Sequence, residues 1–251
     1  MTWWLAALLL AAGIGGGLIG SIAGLASLTT YPALLAVGLP PVSANVTNTV
    51  ALVFNGVGSI SASRPELTGQ GPWLKRTIPI MAAGGVVGAA LLLLTPADGF
   101  EKLVPILIGV ASLTILLPLR PLEGDKPRQH RSVVIVEGVA IFLVAVYGGY
   151  FGAAAGVMLL ALLLRAGGAG LAHANASKNV LLGVSNTVAA VAFMFLAPVH
   201  WLAVIPLAAG CLIGARLGPV VVRHSPAKPL RLFIGLAGVV LAVKLGIDAY
   251  S

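Results

Sequence analysis

Two clusters of polar residues interrupt an otherwise apolar sequence, and they are the groups best suited to chemistry. The first follows Pro40-Pro41, and the second opens a matching segment in the C-terminal part of the chain. Their members are Ser43, Asn45, Thr47, Asn48, Thr49 and Asn55 in the first cluster, and His173, Asn175, Ser177, Lys178, Asn179, Ser185 and Asn186 in the second. Hydroxyl and amide groups donate hydrogen bonds without needing a counter-charge, and helix N-termini add partial positive charge. These residue types predict a site for a small oxyanion.

Lys178 makes the two clusters unequal, because it stands where the first cluster has Asn48. Arg165, at the end of a short apolar segment, is a further candidate, since a guanidinium can pair with a sulfonate or carboxylate through two hydrogen bonds. For Arg165 an interfacial anchor is an equal alternative, and for any single cluster residue so is an interhelical hydrogen bond. The predicted substrate ligands are Asn45, Thr47, Asn48, Asn175, Ser177, Lys178 and Arg165.

The sequence contains no recognisable catalytic or metal-binding motif. It has no Gly-x-Ser-x-Gly, no His-Glu-x-x-His, no carboxylate pair within an apolar segment, and four histidines without metal-ligand spacing. We therefore expect no enzyme activity, no cofactor and no metal. Glu137 is the one acidic residue clearly inside an apolar segment. It is a candidate proton-coupling site, with an interfacial carboxylate as the alternative; a coupling proton and a coupling sodium ion both stay open.

The elements that must position these residues are membrane-spanning helices. The chain is 59% hydrophobic and 9% charged, with mean hydropathy +1.04, whereas soluble domains have about 25% charged residues. Eight segments reach the roughly 20 apolar residues that a spanning helix needs. They are 3–22, 43–62, 73–95, 102–119, 132–152, 174–197, 200–222 and 229–248, with two shorter segments at 25–38 and 154–166. The sequence thus predicts an all-α, polytopic bundle with lipid as its main solvent.

The chain repeats itself in four blocks that occur in the same order. Residues 16–24, 44–47, 84–89 and 108–111 resemble residues 148–156, 174–177, 210–215 and 234–237. We predict two homologous transmembrane halves, 1–119 and 132–251, joined by a charged cytoplasmic linker at 120–131. Glycines next to each short segment are predicted hinges, namely Gly20, Gly24, Gly152 and Gly156. The Gly-x-x-x-Gly motifs at 84–88 and 210–214 are predicted helix-packing motifs.

The basic residues lie in short loops and report orientation rather than nucleic-acid binding. If the short segments also cross, each half has five crossings and the repeats are inverted. Almost all Lys and Arg then share one face, which the positive-inside rule places in the cytoplasm. If the short segments turn back, eight crossings remain and this bias is lost. The charge pattern favours ten crossings, with both termini outside.

The order of these features resembles the TauE/SafE family of sulfite exporters and organosulfonate permeases. The resemblance is carried by a glycine cluster, Pro32, Leu39-Pro40 and Ala44-x-x-Thr47-Asn48, then by a second glycine cluster with Ala174-x-x-Ser177-Lys178, and by residues 210–218. It covers essentially the whole chain. It implies a secondary transporter in the bacterial inner membrane that moves sulfite, sulfoacetate or a related organosulfonate. An intramembrane enzyme acting on a lipid-borne anion is the alternative. Transport direction and oligomeric state are not determined by the sequence.

Overall fold

The described part of the chain is entirely helical. A computed structural model describes residues 2–116, 131–165 and 170–224, and five single positions beyond them, Leu236, Val239, Val240, Val243 and Ile247. Over these residues it has no strand. Its helices are α1 (Trp3–Ala23), α2 (Ser27–Ala36), α3 (Pro41–Ala62), α4 (Gly71–Leu94), α5 (Ala97–Leu116), α6 (Arg131–Tyr150), α7 (Ala155–Arg165), α8 (Leu171–Leu196) and α9 (Trp201–His224), with a 3₁₀ turn at Pro65–Leu67.

Nine of the ten predicted apolar segments correspond to these helices. Four helices are long and apolar enough to cross a membrane by themselves: Trp3–Ala23, Gly71–Leu94, Leu171–Leu196 and Trp201–Val222. The predicted last span, 229–248, and most of the linker at 120–131 lie outside the described residues. The all-helical membrane fold is confirmed, whereas the number of full spans stays a prediction.

Glycine faces hold two long helix pairs together, α1 with α9 and α4 with α6. A Cβ on Gly210 or Gly214 would meet the backbone of α1, and one on Gly84 or Gly88 would meet the backbone of α6. Small residues allow such close approach, which strengthens dispersion contacts between helices in lipid. The Gly-x-x-x-Gly motifs are therefore packing motifs, as predicted.

At the centre of the bundle α3 crosses α8, and Gly56 faces Gly183 at the crossing. α3 also packs on α9, while α8 packs on α4. The contact of α3 with α9 thus has a counterpart in the contact of α8 with α4. In both, the third helix of one half contacts the fourth helix of the other.

Both predicted glycine breaks are present. α1 ends before Gly24 and α6 ends before Gly152, each with φ +75°. Glycine adopts this left-handed conformation without the penalty that a Cβ brings. The breaks also meet, because Cβ atoms on Gly24 and Gly156, which are equivalent in the repeat, would each overlap the other residue's backbone. The two halves therefore touch at equivalent glycines.

The first short helix turns back along the helix before it. Gly16 of α1 faces Thr30 of α2, and Gly20 faces Ala26, so the two helices run side by side from a tight turn at Gly24. Residues 20–28 are buried, which places this turn inside the protein rather than in an aqueous loop. This arrangement favours the turn-back alternative for segment 25–38 over the crossing that the charge pattern favoured.

Candidate functional site

α3 and α8 carry the two polar clusters into the interior. α3 starts at Pro41, where proline suits the first helical position because its missing N–H is not needed. Most of the polar residues that follow are almost completely inaccessible, and Asn45, Thr47 and Lys178 have no exposed surface, whereas His173 is exposed and Ser43, Asn55 and Asn186 are partly buried. Buried polar groups need partners. The partners of the two clusters differ.

In the first cluster, Asn48 is satisfied by side chains of its own half. The Thr30 hydroxyl donates to Asn48 Oδ1 at 2.6 Å, and Asn48 Nδ2 donates to Ser27 Oγ at 3.1 Å. Asn48 therefore ties α3 to α2 through neutral groups, and both ends of its amide are used.

The second cluster converges on the end of α1, in the other half. Lys178 Nζ donates to the carbonyl oxygens of Gly20 at 3.2 Å and Ser21 at 3.3 Å. The Ser21 oxygen also accepts from Asn175 Nδ2 at 3.0 Å and Asn179 Nδ2 at 3.3 Å. These carbonyls belong to the last turn of a helix, where the partial charge is negative and a cation is favoured.

Asn45 and Asn175 occupy equivalent positions and each reaches into the opposite half. Asn45 Nδ2 donates to the Tyr150 carbonyl at 2.9 Å, at the end of α6, as Asn175 does to Ser21 at the end of α1. The Oδ1 atoms of both are buried without a protein partner. Each amide thus keeps one unused acceptor beside a helix break.

Thr47 and Ser177 also play matching parts. The Thr47 hydroxyl accepts from the His200 backbone N–H at 3.0 Å, just before α9. The Ser177 hydroxyl donates to Gln70 Oε1, just before α4. His200 and Gln70 are separated by the same interval as Ser177 and Thr47. Each hydroxyl therefore holds the start of the other half's fourth helix.

A small cavity lies where the two breaks and the α3–α8 crossing meet. Its volume is about 30 Å³, enough for one or two water-sized spheres. Gly20 and Gly24 line it from the first break, and Gly148 and Gly152 from the second. Its polar side chains are Ser27, Thr49, Asn55, Asn179 and Asn186.

The described lining of the cavity is uncharged. Its described lining contains no acidic residue, and four of its five polar side chains are hydroxyls or amides of α3 and α8. Ser27 and Ala155, which open α2 and α7, also line it. Two helix N-termini therefore contribute partial positive charge to this space, while Gly20 and Gly148 bring the last turns of α1 and α6, with their partial negative charge, into the same lining. Lys178 lies next to this space, because its partner Gly20 lines the wall.

Comparison with known proteins places the chain in a family. The family described as "Sulfite exporter TauE/SafE" matches residues 9–245. The chain belongs to the TauE/SafE family. Its membership explains the duplicated glycine and polar motifs, and the helices described above make it a multi-pass membrane protein.

Curated relatives of this TauE/SafE protein are bacterial. A "Probable membrane transporter protein ORF9" of Sinorhizobium sp is 28% identical, over 99% of this chain and 95% of the relative. "Probable membrane transporter protein YfcA" of Escherichia coli K12 is 31% identical, over 94% and 87%. No solved structure matches the chain. The protein is a membrane transporter of the TauE/SafE family, and its bacterial relatives are consistent with the inner membrane.

The six predicted ligands of α3 and α8 in this TauE/SafE protein surround the cavity without lining it. The cavity lining instead follows the next turns of the same helices, at Thr49, Asn55, Asn179 and Asn186. These residues were visible in the clusters, and their helical spacing from Asn45 and Asn175 could have identified them. Ser27 escaped the sequence analysis because single hydroxyls in apolar segments are common.

Two predicted residues lie apart from the cavity. Glu137 is partly buried on α6 and is not in the lining. Arg165 ends α7, and its side chain is outside the described residues. Of the predicted hinges, Gly20, Gly24 and Gly152 line the cavity, while Gly156 packs on Gly24. Hinge motion stays a prediction.

Proposed function

We propose that this protein is a secondary transporter that moves a small sulfur-containing oxyanion, such as sulfite, sulfoacetate or a related organosulfonate, across the bacterial inner membrane. It works by alternating access and carries out no chemical reaction on its substrate. The observation that carries the proposal is the cavity at the meeting point of both helix breaks, with its neutral donors, two helix N-termini and neighbouring Lys178.

The neutral lining favours an oxyanion over a cation. Sulfite and sulfonate oxygens accept hydrogen bonds from amide N–H groups, which Asn55, Asn179 and Asn186 supply, whereas the Thr49 hydroxyl already donates to the Asn45 carbonyl at 3.0 Å. Such donors provide several directed contacts at low desolvation cost, because none of them is charged. Carboxylates that would hold a cation do not line the described cavity.

Alternating access needs two bodies that can move around one site. The reciprocal packing of α1 on α9 and of α4 on α6, and the contact of equivalent glycines at 24 and 156, support two matching halves related by an axis in the membrane plane. A cavity of about 30 Å³ is too small for a sulfonate. Transport therefore requires the breaks or the α3–α8 crossing to open.

If the hairpin of α1 and α2 enters and leaves the membrane by the same face, the two halves are inverted, as they are with five crossings each. Each half then crosses three times, an odd number, through α3, α4 and α5 or their counterparts. The basic loops stay on one face, so the charge bias survives without ten crossings. Both termini are then periplasmic, and alkaline phosphatase fused to Ser251 is expected to be active. An inactive phosphatase and a fluorescent protein fusion that fluoresces there would reject this orientation.

The decisive experiment is flux into proteoliposomes of sulfite, sulfoacetate and thiosulfate. At least one of these anions is expected to enter faster than into protein-free vesicles. Asn179→Leu should remove most of this flux. Thr187→Val, on the same helix but lining an adjacent apolar groove and not the cavity, should retain it. Flux equal to that of empty vesicles for all three anions would reject the proposed function.

A further inference from the structure

Lys178 is buried more completely than an ion of its kind normally is. It has no exposed surface, and its polar contacts are the two carbonyls of Gly20 and Ser21. An ammonium has three N–H donors, whereas a neutral amine has two. The described contacts therefore match the neutral amine and leave one donor of the ammonium without an acceptor.

The helices around Lys178 offer no described carboxylate as a partner. α1 and α3 carry no titratable side chain at all. Other elements that contact α8 carry these titratable side chains: Glu66 in the 3₁₀ turn; Lys75 and Arg76 in α4; Arg131, Glu137, Tyr147 and Tyr150 in α6; Arg165 in α7; Cys211, Arg216, Arg223 and His224 in α9; and His173 in α8 itself. None of those with described side chains is in contact with the Lys178 amine. A charge there lacks the compensation that burial demands.

Resting on the proposed function, we propose that Lys178 is the proton-coupling residue, which gains a proton when the anion binds and returns it when the anion leaves. In the empty protein the amine is neutral and donates to the α1 carbonyls. In the loaded protein one proton has been added to the amine from the side from which the anion enters. The ammonium uses its third N–H for the anion. One proton then crosses with each anion and cancels one of its negative charges, and Lys178 returns uncharged in the empty protein.

This assignment differs from coupling at Glu137. Glu137 lies on α6 and does not line the cavity. Lys178 does not line it either, but its amine donates to Gly20, which does, and to the Ser21 carbonyl, which also accepts from the lining residue Asn179. A proton on Lys178 adds positive charge where the anion binds, so the two binding events favour each other. A proton on Glu137 could act only from a distance.

Proton uptake on binding can be measured with the purified protein and sulfoacetate, whose charge is constant between about pH 7 and 9. Calorimetric titrations are run in two buffers of different ionisation enthalpy. The wild type is expected to take up as much as one proton per anion, and its affinity should fall as pH rises, by at most tenfold per pH unit. Lys178→Arg, which stays charged, should bind without proton uptake. Lys75→Arg, at an exposed lysine of α4, should behave like the wild type.

The outcomes separate the two proposals. Binding heats of the wild type that are independent of the buffer would overturn proton coupling and leave anion transport standing. Equal proton uptake by Lys178→Arg, or loss of uptake in Glu137→Gln, would move the coupling away from Lys178. If Lys178→Arg does not fold, Lys178→Gln replaces it, and persistent uptake in that variant would contradict the assignment. Failure of sulfite, sulfoacetate and thiosulfate alike to bind would remove the proposed function and the coupling with it.

Discussion

The two halves share a scaffold but use their polar clusters differently. In the first half Asn48 binds side chains of the same half, Thr30 and Ser27. In the second half Lys178, at the equivalent position, binds backbone carbonyls of the opposite half. The first arrangement is neutral and saturated, while the second places a potential charge beside the cavity. The equivalent positions 48 and 178 thus differ in charge and in partner, although residues of both clusters line the cavity.

The point where the halves touch should be the most sensitive to substitution. Gly24→Ala is expected to cost roughly 2–5 kcal/mol, because its Cβ adds strain at positive φ and overlaps the backbone of Gly156. The measurement is the yield of monodisperse protein and its melting temperature in detergent. Gly38→Ala separates the two causes, since Gly38 has φ +89° but no neighbour within 4 Å. If both variants lose the same stability, the contact between halves contributes nothing.

The next test compares alanine substitutions at the two equivalent positions, 48 and 178. Lys178→Ala should lower affinity for a bound sulfonate about ten- to hundredfold, because a charge-assisted hydrogen bond is lost. Asn48→Ala should instead lower the free energy of unfolding by roughly 1–2 kcal/mol, since Ser27 loses its donor and Thr30 keeps only the Ala26 carbonyl at 2.9 Å. Ligand-dependent and ligand-free melting curves measure the two effects. Similar profiles for both variants would show that the halves are not specialised.

The glycine-packed helix pairs should respond alike in the two halves. Gly88→Ala and Gly214→Ala each place a Cβ against a backbone carbonyl, of Val146 and Ile14 respectively. Each is expected to cost about 1–3 kcal/mol. Gly15→Ala, with nothing within 4 Å, should be neutral or stabilising because alanine favours helix. A large loss in one of the pair and none in the other would contradict equivalent packing.

The smallest effects are expected at the two hydroxyls that hold neighbouring helix starts. Thr47→Val removes the acceptor for His200 N–H, and Ser177→Ala removes the donor to Gln70. Each should cost about 0.5–1 kcal/mol. Melting temperatures of the two variants should therefore fall by similar small amounts. A much larger loss of transport than of stability in either would restore that hydroxyl as a direct ligand.

The sequence predicted most of the helices, while the equivalence of the two halves stays a prediction. Matched blocks place Gly24 opposite Gly156 in the repeat, and the structure brings these glycines into contact. Repetition alone could not show that each cluster reaches into the other half, as Asn45 does to Tyr150. That exchange depends on which helices become neighbours, a tertiary property that spacing does not encode.

The candidate site was predicted one turn away from the cavity. Asn45 and Asn175 attracted attention because they open the clusters, but cross-half contacts occupy their amide N–H groups. Thr49 and Asn179 continue the same helical face toward the crossing. The charge pattern favoured a crossing for segment 25–38, whereas the structure favours a turn-back of α2. Counting charges can only ask whether a short helix adds one crossing or none. Neither possibility describes a helix that lies alongside α1.

The pairing of α1 with α9 has a consequence for biosynthesis. α1 leaves the ribosome long before its glycine-faced partner α9, which begins only at Trp201. At 5–20 residues per second, this delay is about 10 to 40 s. During that time the small-residue face around Gly13 and Gly17 is open to lipid, insertion factors or the wrong helix, whereas α4 receives α6 much earlier. The helix bundle therefore cannot be completed until α9 has been synthesised and packs on α1.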